Sequence, residues 1–146
     1  MKTQINKDLI ESMRAKDALR LTVLRSLKTS ITNAEKSQGD TPLNDLEILQ
    51  IVRKEMKKRE DSMDSYIAAN RMDLHLKEFM EQQILEKYLP KPLTPEELDD
   101  IVVSVIAELQ ATSKRDMGRV IKEVLVKVEG RMDNKTISKR VGELLN

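Results

Sequence analysis

The chain has 146 residues, enough for one domain or for two small helical units, and is 39% apolar and 35% charged. That apolar content excludes a disordered chain, and a net charge of only +1 excludes a global polycation. The lack of cysteine excludes a disulfide framework and a thiolate metal site, and the start "MKTQINKDLIESMRAKD" has no secretory apolar core, so a cytoplasmic protein is expected.

Helical periodicity dominates from the first residues. Ile5, Leu9 and Met13 mark one amphipathic helix, and Leu21, Leu24, Leu27 and Ile31 mark a second that stops near Gly39. The next start is signalled twice, by Thr41 before Pro42 and by Asn44 with Glu47 three residues on. Leu49, Val52, Met56, Met63 and Ile67 then predict a long third helix, partly solvated because its middle, "KKREDS", is all polar. A fourth places Phe79, Met80, Ile84, Leu85, Tyr88 and Leu89 along one face. "YLPKPLTPEEL" interrupts the pattern, since Pro90 and Pro92 disfavour helix at the residues before them.

Thr94-Pro95-Glu96-Glu97 opens a new helix with a capping hydroxyl, a first-turn proline and acids at the positive end of the dipole. Leu98, Ile101, Val102, Val105, Ile106 and Leu109 line it. Ser113-x-x-Asp116 resembles a capping box ahead of Met117, Val120, Ile121, Val124, Leu125 and Val128; Gly130 ends that helix. Asp133 or Asn134 starts the last one, with Ile137, Val141, Leu144 and Leu145 inward. "IVVSVI" and "VLVKV" are β-branched enough to be strands, but the caps and the longer period favour helix. The expected architecture is all-α: an N-terminal domain of about four helices over 1–90 and a smaller three-helix domain over 93–146. The longest apolar run, "IVVSVIA", is far short of the ~20 residues a membrane span takes, so no membrane association is expected.

Catalytic signatures are absent. His75 is the single histidine, with Glu78 after it, whereas a di-iron bundle needs two Glu-x-x-His pairs; it reads as a surface residue. The four glycines are isolated, so no loop cradles a phosphate. No catalytic residue, cofactor or metal is assigned. Charge, however, is segregated: residues 38–90 and 91–111 are net acidic, while Thr112 to Val141 hold nine lysines and arginines against four acids. Lys114, Arg115, Arg119 and Lys122, Arg131 in the turn, and Lys135, Lys139 and Arg140 form a candidate phosphate-facing set. The equal-weight alternative is an ordinary solvated face. None of the three aromatics lies in this tail, which favours backbone or shape recognition of folded RNA over base stacking. Gly118 and Gly142 read as helix-crossing points, each costing about 1 kcal/mol of helix propensity, and Gly130 as a left-handed C-terminal residue.

"LEKYLPKPLTPEEL", "SKRDMGRVIKEV" and "KVEGRMDNKTISKRV", with "MRAKD", "VLRSLK", "KKREDS" and "AANRMDL" before them, resemble the GatB/YqeY family over essentially the whole chain. The resemblance is to the small stand-alone type, and the second half is similar to the tail domain of the GatB component of the glutamyl/aspartyl-tRNA amidotransferase. It implies an all-helical, two-domain fold and a tail that helps hold tRNA, here through Ser113–Arg119, Lys122 and the Gly130–Lys139 turn. It also implies association with a carbon–nitrogen ligase using glutamine as amide donor, with tRNA or other structured RNA as partner and an amidotransferase or aminoacyl-tRNA synthetase as protein partner. The large catalytic portion of the GatB component has no counterpart here, so no transamidation by this chain alone is expected. A protein-interaction adaptor without RNA binding is the competing reading, and a ligase component acting in trans is a third.

Overall fold

The computed structural model describes residues 1–145, and every regular element among them is helical. In order these are α1 (Lys2–Arg14), α2 (Ala18–Ser37), α3 (Asp45–Ala68), α4 (Met72–Glu86), α5 (Pro95–Glu108), a single 3-10 turn (Lys114–Asp116), α6 (Met117–Val128) and α7 (Asn134–Leu144). The β-branched runs of α5 and α6 are therefore helical. On α5 the cap contributes: the Thr94 hydroxyl accepts from Glu97 N while the Glu97 carboxylate accepts from Thr94 N, and Pro95 sits in the first turn. Of the two signals ahead of α3, Asn44–Glu47 is the one used, as a full capping box.

Residues group into two compact units, one from Met1 to Leu89 and the other from Pro90 onward. In the first, Ile5 of α1, Val23, Leu27 and Ile31 of α2, Ile48 and Val52 of α3 and Leu85 of α4 form the buried core. Polar groups share this interior. The Tyr88 hydroxyl donates to Asp8 Oδ2 at 2.5 Å, and burial with the neighbouring Asp8 carboxylate raises its pKa above the ordinary phenol range. Buried Glu55 accepts from Ser30 at 2.9 Å and pairs with Arg59, whose Nε is 3.5 Å from buried Glu81.

Two expectations on this unit fail. Met13 is exposed, and so are Phe79 and Met80, at 43% and 48%. The inward face of α4 carries Glu81 and the expected Leu85, with Glu81 3.5 Å from Arg59 on α3. His75 is half-buried, with Nδ1 3.3 Å from the Met63 carbonyl oxygen of α3.

The second unit packs Leu98, Val102 and Val105 of α5, Val120, Val124 and Val128 of α6, and Ile137 and Val141 of α7 around one core. Its beginning is held down: Leu93 is buried and its N–H donates to the Arg131 carbonyl at 3.2 Å. The compact unit accordingly starts at Pro90, three residues before the expected 93. Asn146, the last residue of the expected second domain, lies outside the described residues.

Candidate nucleic-acid interface

The three helices of the second unit set where the nine basic side chains between Thr112 and Val141 point. On α7, buried Ile137 and Val141 define the inward face, so Lys135 and Lys139, one turn apart, fall on the opposite side. On α6, Val120, Val124 and Val128 are inward and Lys122 is exposed. Lys114 and Arg115 occupy the 3-10 turn that leads into α6 and are exposed. The turn is closed by Asp116, whose carboxylate accepts from Thr112 N at 3.1 Å, while Ser113 Oγ accepts from Arg115 N at 3.4 Å. The Ser113-x-x-Asp116 pair thus caps, but not reciprocally as a box.

The eight candidate residues divide sharply. Arg140 is clamped by Asp99 of α5, through Nε at 2.5 Å and Nη2 at 2.8 Å, and its Nη1 donates to Glu143 at 2.6 Å. The Arg140 hydrogen bond holds the Asp99 carboxyl below its usual range, so the pair stays ionised at neutral pH. Arg131 donates through Nε to the Lys91 carbonyl at 2.9 Å and lies 3.6 Å from Glu97. Arg119 pairs with Asp116 at 2.9 Å. Lys127, which belongs to the same basic stretch, pairs with Glu108 at 2.7 Å. Lys114, Arg115, Lys122, Lys135 and Lys139 are exposed, with no ion pair or side-chain hydrogen bond among the described residues. Glu97, Asp99 and Glu108 of α5 engage Arg131, Arg140 and Lys127, with Glu143 of α7 as a second partner of Arg140, so the acidic and basic stretches of the sequence partly cancel inside one unit.

The glycines also divide. A Cβ on Gly142 would stand 3.3 Å from Met117 Cε, so α7 passes close to the start of α6 there. Gly130 has φ +77° and follows Glu129 at φ +52°, both in the left-handed region that ends α6. Gly118 corrects the expectation: it is exposed, and no atom lies within 4 Å of where a Cβ would be. No helix crosses at Gly118, because α7 meets α6 through Met117 instead.

Sequence reading missed Asp99 and Glu143, whose place around Arg140 spans 41 residues in one case and one helical turn in the other. The i,i+3 spacing of Arg140 and Glu143 was a usable signal; nothing local pointed to Asp99.

Over residues 2–145 the sequence matches the family of YqeY-like proteins. The chain belongs to that family. Similar proteins include the altered inheritance of mitochondria protein 41, mitochondrial, of Vanderwaltozyma polyspora, 34% identical over 86% of this chain and 67% of the relative. The proteins of the same name from Pyrenophora tritici-repentis and Kluyveromyces lactis are 29% and 32% identical, over 97% and 91% of this chain and 79% and 69% of theirs. These names overturn the cytoplasmic placement expected above, since YqeY-like relatives are named as mitochondrial proteins. The physical reason is that a lack of cysteine and of a secretory start does not separate one reducing compartment from another.

Proposed function

We propose that the second unit binds structured RNA, tRNA foremost, through Lys114, Arg115, Lys122, Lys135 and Lys139. The observation that carries this reading is the unequal use of the nine basic residues. Four are engaged by groups of the unit itself, and five are exposed with no partner. The paired cations adjoin acids, while Lys135 and Lys139 lie one turn apart on α7, Lys114 and Arg115 share the turn before α6, and Lys122 is exposed on α6. The role is accessory: the chain supplies grip on RNA beside a glutamine-dependent carbon–nitrogen ligase or an aminoacyl-tRNA synthetase, an extension that rests on the sequence resemblance. The mitochondrial names of the relatives make organellar tRNA a form to assay alongside bulk tRNA.

The test is a titration of the full chain with bulk tRNA at several salt concentrations. Five neutralised phosphates predict that log Kd rises with log salt with a slope of about 3.5 to 4.5. No binding at low salt, or a flat dependence, overturns the reading. One observation favours the adaptor alternative: Met72, Leu76 and Met80 follow one another at i,i+4 on α4, beside Phe79, all exposed. RNA binding that survives reversal of Lys122 and Lys135 would favour it.

A further inference from the structure

Between α5 and α7 the second unit carries a groove of about 340 Å³, at the small end of ligand-sized cavities. Its floor is apolar, formed by Leu93, Pro95, Leu98 and Met132. Its rim carries Arg140, Asp99, Glu143 and the unpaired Lys139. Those four formal charges cancel, so the mouth neither attracts nor repels a neutral group.

Arg140 sets what such a group could be. Its Nε and Nη2 point along the guanidinium plane to Asp99, and its Nη1 to Glu143. With these edges occupied, it is a poor phosphate ligand; what it offers is its face. A guanidinium held flat is a stacking surface for a planar π system, and unstacked RNA bases use such surfaces. Lys139 on the rim and Lys135 one turn away are placed for the phosphates on either side of that base. An apolar slot, a flat cation face and flanking cations together suit an unstacked base, as in a loop, and not a duplex, whose bases are stacked inside the helix.

We propose that this groove takes one unstacked nucleobase of looped RNA, stacked on the Arg140 guanidinium. The inference rests on the RNA-binding reading and deepens it: the five free cations hold the backbone, and the groove selects loops over continuous duplex.

The experiment compares an RNA hairpin bearing a seven-nucleotide loop with a blunt duplex of equal phosphate number, both titrated against the full chain at low salt. Stacking of one base predicts about tenfold tighter binding of the hairpin. Arg140→Lys keeps the charge and removes the plane, and Thr136→Phe, one turn before Arg140 on α7, covers both the groove and the guanidinium face. Each should abolish the hairpin preference and leave duplex affinity unchanged. In the parent, 2-aminopurine placed in the loop should be quenched on binding. If Arg140→Lys fails to fold by circular dichroism, Thr136→Phe and the 2-aminopurine signal decide. Equal affinity for hairpin and duplex in the parent, or a preference kept by the folded variants, overturns the groove and leaves the cation reading standing. Binding of neither RNA overturns both.

Discussion

Replacing Gly118 by alanine tests whether the open space beside it is open in solution. The residue is helical, exposed, and has no atom within 4 Å of a built Cβ, so the substitution meets no steric resistance. Glycine inside a helix is worse than alanine by roughly 0.5–1 kcal/mol, and Gly118 sits in the first turn of α6, which favours the lower part of that range. For a unit of this size such a gain corresponds to a melting temperature higher by about 2–8 °C. Thermal melts by circular dichroism, with urea midpoints at unchanged m-value, are the assay. Gly142→Ala is the control: its Cβ would press Met117 Cε at 3.3 Å, and the flexible thioether must give way, which offsets the propensity gain. Gly118→Ala should therefore be more stable than the parent and more stable than Gly142→Ala. A Gly118→Ala protein less stable than the parent would refute the reasoning and mean that another surface, of this chain or a second copy, covers Gly118.

Reversing Lys122 and Lys135 to Glu should leave the melting temperature unchanged, since neither has a partner, while tRNA affinity drops and its salt slope flattens. We propose that each unit folds alone; 1–90 and 93–146 expressed separately should both show cooperative helical melts, with the second weaker for its size and for losing the Lys91 carbonyl that Arg131 binds. Ile137→Ala, at a fully buried site, should cost about 2–5 kcal/mol and melt the second unit while the helicity of the first persists in circular dichroism of the full chain. Tyr88→Phe should destabilise the first unit by about 1–2 kcal/mol at neutral pH through loss of the bond to Asp8. Because the folded-state pKa of Tyr88 is raised, its contribution is complete below the unfolded value of 10 and is lost as pH rises beyond it; urea midpoints of the parent should fall in that alkaline window, and those of Tyr88→Phe should fall less.

Helix existence was legible in the residues because it depends on neighbours three and four positions apart. Asn44 with Glu47 and Thr94 with Glu97 announced α3 and α5, and both pairs close as capping boxes. The break between α4 and α5 at Pro90 and Pro92 was legible for the same reason, since proline acts on its own and the preceding residue. Helix rotation was not. Phe79 and Met80 fit an inward stripe by spacing, yet they are exposed while Glu81 is buried beside Arg59 of α3.

By itself, then, the amino-acid sequence determined an all-helical chain, its starts and stops, and a tail rich in cations. Only the tertiary structure decided which of those cations are free. Lys139 and Arg140 are adjacent in the chain and identical in charge, but helical geometry sets them about 100° apart, and only Arg140 faces the Asp99 carboxylate that α5 brings from 41 residues away. The same packing moved the bare backbone of Gly118 into the open while setting Gly142 against Met117. Charge is a property of the residue, whereas the availability of that charge depends on what the fold places within about 4 Å of it.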